Sequence, residues 1–139
     1  MQYRVVAAGG PRMKHSALRA ACDDYLSRIR HYAKIEEREV KEARVPAKED
    51  SRLIALDRGG EAWTSEQLAE LTATWERDAR DVTFIIGDAD GLPDEMLRRA
   101  ERVWSLGPLT LPHELARVVV YEQLYRAYTI RRREPYHRS

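Results

Sequence analysis

The chain has 139 residues, a length typical of a single domain, and its formal net charge at pH 7 is only +1. Charged residues make up 34% of the sequence and hydrophobic residues 43%, which favours a soluble globular protein over a disordered or membrane-spanning one. No charged segment followed by a long apolar run opens the sequence, and Cys22 is its single cysteine. We therefore expect a cytoplasmic protein without an internal disulfide.

Strands and helices alternate along the chain. Periodicity and turn residues predict five strands, over Tyr3–Ala8, Lys34–Lys41, Arg52–Leu56, Asp81–Ile86 and Val103–Leu106. They predict four helices, over about Ser16–Arg30, Ser65–Ala79, Pro93–Arg102 and Pro112–Arg132. The segment Glu42–Asp50 is expected to be a loop or one short helical turn, and Asp57–Gly60 a turn. Ser16, and either Thr64 or Ser65, are expected to cap helices. This order indicates βαβ units, so we predict a single α/β domain over residues 1–139, with a mainly parallel sheet flanked by helices.

Two predicted strands end in glycine-containing turns. Residues 84–86 run into the turn from Gly87 to Leu92, and residues 103–106 run into the turn from Gly107 to His113. An α/β protein binds small molecules beyond the carboxyl ends of its strands, and glycine lets the backbone approach a ligand or adopt positive φ. The alternative interpretation, that these glycines only form tight turns, is equally compatible with the residues alone.

Other classes of site have little support in the sequence. The four histidines are scattered and the one cysteine has no partner at metal-ligand spacing, so we expect no metal site. No G-x-S-x-G segment is present to indicate a serine hydrolase. From Thr129 to Ser139 there are four arginines and one glutamate. That cluster fits either a solvated helix end or an anion-binding surface.

Taken together, these segments resemble the SPOUT (α/β-knot) methyltransferases, and most closely the RlmH-type 23S rRNA pseudouridine N3-methyltransferases. The resemblance extends over the whole chain, and its two carboxyl-terminal stretches are highly specific. The stretches that carry it are residues 6–9 with 25–28, residues 54–57, residues 84–87 with 91–92, residues 104–106 through 109–113, then Arg117, residues 122–127 and residues 135–138.

The resemblance implies a fold with a C-terminal trefoil knot, S-adenosylmethionine bound in that knot, and a homodimer whose active site is completed across the interface. It also implies which residues contact the cofactor: Leu56, Gly87, Asp88, Gly107, Pro108, Leu109, Thr110, Leu111 and Pro112. Leu106 adds a further apolar wall. The implied reaction is methylation of N3 of a pseudouridine in helix 69 of 23S rRNA, on the assembled ribosome.

The implied catalytic residues lie in the last five positions of the chain. His137 is the candidate base, because its ordinary pKa lies near neutrality. Arg138 is expected to bind the developing oxyanion or a phosphate, and Tyr136 to stack on the base or donate to a carbonyl. His113 is a second candidate base, or else a residue that packs the start of the last helix. The residues expected to bind rRNA phosphates are Arg126, Arg131, Arg132 and Arg133.

Two departures from the family pattern leave alternatives open. Asp88 stands where relatives usually carry a second glycine, and the segment from Arg44 to Asp50 is shorter than in relatives, which have an additional helix there. Asp88 is expected either to crowd the cofactor or to face its positive charge. A knotted RNA-binding protein that has lost methyl transfer is therefore a second hypothesis. A third is a small α/β dimer whose tail only mediates contacts.

Overall fold

A computed structural model describes residues 1–10, 12–44 and 50–138, apart from the side chains of His137 and Arg138. The elements are β1 (Tyr3–Ala8), α1 (Ser16–Ile29), β2 (Ile35–Val40), β3 (Arg52–Ala62), α2 (Ser65–Asp78), β4 (Val82–Ile86), α3 (Asp94–Arg99), β5 (Arg102–Ser105), α4 (His113–Arg131) and a terminal 3-10 helix (Pro135–Arg138). The shortened segment singled out in the sequence falls largely on residues 45–49, which lie outside the described residues.

The described strands form one five-stranded sheet in the order β2-β1-β4-β3-β5, and every pairing in it is parallel. The prediction of an α/β fold with a mainly parallel sheet is therefore confirmed. The chain leaves β1 toward β2 and leaves β4 toward β5, so these two neighbouring strands send their connections in opposite directions. Such a switch point opens a crevice at the carboxyl ends of the strands.

The sheet separates two hydrophobic layers. Phe84 and Ile86 of β4 face a large core formed with α1, α2 and α4, whereas Ile85 faces a smaller core formed with α3. Alternate residues of a strand point to opposite faces, so a strand buried on both faces reads as a continuous apolar run. This explains why β4 was the most recognisable strand in the sequence. It also leaves one short helix to cover the second face within the described part of the chain.

The turn predicted over Asp57–Gly60 is wrong, because β3 continues through it to Ala62. The register on β5 shifts within this stretch, so that Trp104 is the partner of both Leu56 and Glu61. Glycine is needed there since a Cβ on Gly60 would lie 2.4 Å from the carbonyl oxygen of Val103. The glycine pair therefore marks a close strand approach and an irregularity rather than the end of the strand.

The helix starts differ in how they are capped. Ser16 is the first residue of α1 and does not cap it; His15 precedes the helix and makes no side-chain capping bond. At α2, the Thr64 side chain accepts from the amide of Gln67, and the Gln67 side chain accepts from the amide of Thr64. This capping box confirms Thr64 as the cap. The helix predicted over Pro93–Arg102 ends earlier, at Arg99, because β5 begins at Arg102.

A partly buried ionic cluster fastens α4 to the edge of the sheet. Glu37 of β2 accepts hydrogen bonds from Arg19 at 2.7 Å and from the hydroxyl of Tyr121. Arg117, whose side chain is only 4% exposed, lies 3.0 Å from Glu39 and 3.4 Å from Glu37. Burial opposes ionisation of Glu37, but the hydrogen bonds from Arg19 and Tyr121 outweigh it and lower the pKa of the carboxyl.

We expect Glu37→Gln to lower the free energy of unfolding at pH 7 by about 2–4 kcal/mol, because Arg117 loses a carboxylate partner. A lowered folded pKa stabilises the fold above the unfolded pKa of about 4.3, and that stabilisation is lost as the pH falls through the folded value. Urea unfolding between pH 7 and pH 3 should therefore show a weaker pH dependence in the variant. Glu61→Gln, which removes an exposed pair with Arg102, is the control and should change stability by less than about 1 kcal/mol. Equal effects of the two substitutions would contradict this account.

Candidate functional site

A cavity of about 360 Å³ opens beyond the carboxyl ends of β4 and β5 and beside residues 56–58 in the middle of β3. Its volume falls within the range of roughly 300–1,000 Å³ that is typical of small-molecule sites. Both glycine turns predicted from the sequence line it, residues 87–91 from one and residues 107 and 109–111 from the other. The end of β1 borders it as well, since a Cβ on Gly9 would lie 3.2 Å from Nε2 of His113 and 3.4 Å from Cβ of Asp88. The cavity thus lies at the β1–β4 switch point of the sheet.

The walls of the cavity are largely apolar. Those predicted from the sequence are Leu56, Leu106, Leu109 and Leu111, and the structure adds Ile86 and Trp104. Leu109 is the one large hydrophobic side chain that is strongly exposed among the described residues, at 77%. It therefore lies at the mouth, where a ligand or a second chain can cover it. Pro108 and Pro112 belong to the same loop, but their side chains are exposed and do not line the cavity.

The turn after β4 depends on two glycines. A Cβ on Gly87 would lie 2.6 Å from the carbonyl carbon of Gly91, and Gly91 itself has a φ of 81°. Asp88 closes the turn by accepting the amide of Gly91 on its carbonyl oxygen at 3.0 Å. Its carboxylate accepts the amide of Asp90 at 2.9 Å. Asp88 has no positive φ, so the turn tolerates it, and its half-buried side chain is bonded within its own turn.

The loop after β5 presents bare main chain to the cavity. Gly107 has a φ of 120°, and its amide donates to the hydroxyl of Ser105 at 3.1 Å. Arg58 of β3 donates to the carbonyl of Pro108 at 3.1 Å and so ties the loop to the sheet. The amides of residues 109–111 have no hydrogen-bond partner within the described part of the chain. These amides are therefore available to recognise a polar edge of a ligand.

The amino end of α4 forms another side of the cavity. Pro112 precedes the helix and offers no capping side chain, which leaves the positive end of the helix dipole beside the cavity. His113 is the first residue of α4, lines the cavity and lies 3.9 Å from a carboxylate oxygen of Glu114. Burial opposes ionisation of Glu114, but the amides of Lys14 and His15 donate to it and lower its pKa. His113 thus both packs the helix start and borders the site.

The predicted catalytic tail lies far from the cavity of its own chain. It follows the carboxyl end of α4, a helix of 19 residues and so about 28 Å long, whereas the cavity lies at the amino end. The hydroxyl of Tyr136 donates to Glu122 at 2.9 Å and lies 3.2 Å from the hydroxyl of Tyr25. Burial and these two partners raise the pKa of Tyr136. The side chains of His137 and Arg138 lie outside the described part of the structure.

The four arginines predicted to bind RNA differ in their surroundings. Arg126 pairs with Glu122 at 2.9 Å and lies over the ring of Tyr136. Arg131 pairs with Glu76 at 2.7 Å. Arg132 and Arg133 are exposed and make no ion pair within the described residues, although Arg132 lies 5.2 Å from the ring centre of Tyr32. Of the four arginines, Arg132 and Arg133 are therefore the two whose charge is not paired with a carboxylate within the described residues.

Sequence reasoning missed several residues of the cavity. Asp57 and Arg58 line it, although the sequence predicts a turn there, and Asp90 and Ala116 line it as well. Their signal was weak, because charged residues beside Gly59 and Gly60 are typical of a turn. No three metal-binding side chains converge within the described ranges. None of the helices in those ranges is both long and apolar enough to cross a bilayer.

A sequence model of the family described as "Predicted SPOUT methyltransferase" matches residues 1–137. The chain belongs to the SPOUT methyltransferase family. In this chain the cavity is lined by residues 56–58 within β3, by the turn after β4 and by the loop after β5.

Curated relatives resemble the chain over nearly its whole length. Proteins named "Ribosomal RNA large subunit methyltransferase H" are 45% identical in Sorangium cellulosum and 43% identical in Anaeromyxobacter sp.. The first match covers 96% of this chain and 98% of the relative, and the second covers 99% and 100%. The Polynucleobacter asymbioticus protein of the same name is 44% identical, over 86% of this chain and 88% of its own.

Solved structures share the fold at low sequence identity. A probable methylase family protein from Haemophilus influenzae has a TM-score of 0.62 at 12% identity, covering 96% of this chain and 69% of that one. A probable methyltransferase from Bordetella pertussis has a TM-score of 0.60 at 13% identity, covering 91% and 93%. At these identities the likeness concerns the fold alone.

We expect Gly87→Ala to lower the free energy of unfolding by about 1–3 kcal/mol, because the added methyl group would overlap the main chain at Gly91. Urea unfolding measures the loss directly. Ala89→Ser, an exposed position in the same turn, is the matched control and should change stability by no more than about 0.5 kcal/mol. A stable Gly87→Ala protein with an unchanged midpoint would show that the turn is not packed as described.

Proposed function

We propose that the protein is an S-adenosylmethionine-dependent methyltransferase that modifies N3 of a pseudouridine in helix 69 of 23S rRNA, on the assembled ribosome. The observation that carries the proposal is the cavity at the β1–β4 switch point, lined by both glycine turns of a SPOUT-family chain. The names of the relatives support a ribosomal RNA substrate from the large subunit. The finer choice of nucleotide and of assembled ribosome rests on the family resemblance.

The lining residues fit the proposed cofactor in size and in chemistry. The leucines would contact the faces of an adenine ring, and the unpartnered amides of residues 109–111 would bind its polar edge. Gly87, Asp88 and Gly107 would hold main chain close to the ligand, and Leu56 would close the β3 side. When bound, S-adenosylmethionine would supply a methyl group on a positively charged sulfur, and a nucleophile in line with the sulfur would displace the sulfur from that methyl group.

The chain must also activate the acceptor. N3 of a pseudouridine lies between two carbonyls and carries a proton at neutral pH, so the reaction needs a base and a means of stabilising the anion that forms. We propose His137 as the base, Arg138 as the donor to the developing oxyanion and Tyr136 as a stacking residue. Release of the Tyr136 hydroxyl from Glu122 would free that side chain for the substrate.

The distance between the cavity and the tail supports a homodimer, which the family resemblance also implies. The two lie at opposite ends of α4, so a complete site requires His137 of the partner subunit to reach the cavity of the first chain. We further propose that the chain is one domain over residues 1–139, that its cavity loops belong to a trefoil knot, and that it works in the cytoplasm, where ribosomes are found.

Asp88 favours a second candidate function, that of an RNA-binding protein without methyl transfer. Its carboxylate lies on the wall of the cavity, where it would crowd a cofactor that approaches the turn closely. Against this, that carboxylate is held by the amide of Asp90, and a cavity of about 360 Å³ remains beside it. We therefore favour the enzyme over the binding protein.

The main test measures cofactor binding and methyl transfer separately. Calorimetry with S-adenosylmethionine should show binding in the micromolar range, roughly −7 to −8 kcal/mol. Purified protein should transfer labelled methyl groups to ribosomes isolated from cells that lack this modification, and mapping should place the label on N3 of a pseudouridine. Binding without transfer would overturn the proposed substrate. No binding at millimolar cofactor, with binding gained in Asp88→Gly, would favour the RNA-binding candidate.

Mixed dimers test whether the tail acts on the partner's cavity. His137→Ala should abolish transfer and leave cofactor binding intact, whereas Leu111→Trp should fill the cavity and abolish binding. Mixing the two inactive proteins with subunit exchange should restore about a quarter of the wild-type rate, because half of the dimers then contain one intact site of two. A mixture that stays inactive, although exchange is demonstrated, would place the tail in its own chain's site or outside the reaction.

A further inference from the structure

A second, larger cavity lies at the amino ends of the strands, whereas the candidate cofactor site lies at their carboxyl ends. It is an open groove of about 800 Å³ at the amino ends of β1 and β2, and its lining includes Gln2, Arg30, His31, Tyr32, Lys34 and Glu76. Residues 30–34 form the connection between α1 and β2. Nothing in the sequence pattern singled out this connection, and the proposed reaction makes no use of it.

The groove is rich in cations. Arg30 and Lys34 are exposed, and neither makes an ion pair within the described residues. The guanidinium of Arg30 donates to the carbonyl of Ile35 at 3.3 Å, which fixes it at the rim of the groove. Glu76 is the carboxylate on the wall, and its charge is offset by Arg131 at 2.7 Å. The groove therefore presents uncommitted positive charge.

The arginine run at the end of α4 continues this groove. Arg132 lies 5.2 Å from the ring centre of Tyr32, so it borders the same wall. Two further carboxylates lie nearby: Glu134 accepts from the Tyr32 hydroxyl at 2.7 Å, and Asp81 accepts from the amide of Gln2 at 2.9 Å. Four basic side chains lie in or beside the groove, against three carboxylates: Arg30, Lys34, Arg131 and Arg132, with Glu76, Asp81 and Glu134. Arg133 follows Arg132 in the chain.

We propose that this groove binds the phosphate backbone of the substrate RNA, with Arg30 and Lys34 of the α1–β2 connection acting together with Arg132 and Arg133. An open surface with spaced cations and an aromatic side wall is suited to a nucleic-acid backbone. An apolar peptide would find little to bind there, since most of the lining groups are polar.

The position of the groove suits a dimeric enzyme, and this step rests on the proposed function. The groove lies at the same end of α4 as the tail that would complete the partner's cavity. In the proposed homodimer the groove of one chain would therefore lie beside the cofactor site of the other. RNA flanking the target nucleotide would be held by one subunit while the base enters the site of its partner.

The test compares Lys34→Glu and the neutral Lys34→Gln with wild type. Binding to assembled ribosomes from cells that lack the modification is measured from about 50 to 200 mM salt. We expect Lys34→Glu to weaken binding about three- to tenfold and to reduce the slope of log K against log salt by about 0.7–0.9, the value for one phosphate contact. Lys34→Gln should show the same loss of slope with a smaller loss of affinity. Both should keep the wild-type affinity for S-adenosylmethionine.

Arg98→Glu is the matched control, because Arg98 is an exposed arginine on α3, which packs on the other face of the sheet. It should leave binding and its salt dependence within about twofold of wild type. Equal losses in Arg98→Glu and Lys34→Glu, or no loss in either, would overturn the assignment of the groove. Failure of the wild type to bind S-adenosylmethionine would refute the proposed enzyme instead, and a selective loss in Lys34→Glu would still support the groove.

Discussion

The attachment of α4 to the edge strand is the constraint on which the remaining features depend. Glu37 and Glu39 of β2 receive Arg117 and Tyr121 from one side of this helix, and Arg19 of α1 joins the same carboxylates. Ionic groups this buried are stable only when they are paired, so the contact fixes the helix in one register. One end of α4 then borders the small-molecule cavity, and the other end carries the arginines and the terminal 3-10 helix.

Exposed main chain and apolar side chains form much of the cavity. Gly87 permits the turn after β4 to close against Gly91, and the loop after β5 offers three amides that no described group satisfies. Arg58 holds that loop to β3 through the carbonyl of Pro108. Recognition by backbone and leucine walls leaves little trace in composition. Such a site is therefore visible in a sequence only as glycine turns at the ends of strands.

The parts of the fold that follow from local pattern could be predicted, and the parts that depend on distant contacts could not. Residues 82–86 show their two-sided burial as an unbroken apolar run, and Thr64 shows its capping role three residues before Gln67. By contrast, residues 57–60 have the composition of a turn but belong to a strand. Glycine is required at position 60 because the carbonyl of Val103, on another strand, leaves no room for a side chain. The position of Tyr136 could not be predicted either, because it depends on contacts of its hydroxyl with Tyr25 on α1 and Glu122 on α4.

The aromatic side chains beside the cavity have an optical consequence. Trp104 lines the cavity and is stacked on Trp63 at 5.1 Å between ring centres, and Trp63 meets Trp75 edge-on at 6.5 Å. These are the three tryptophans of the chain. At such separations excitation passes readily from ring to ring, so a guest molecule touching Trp104 would alter the ultraviolet emission of the whole group. The protein thus carries an intrinsic fluorescent reporter of what occupies its cavity.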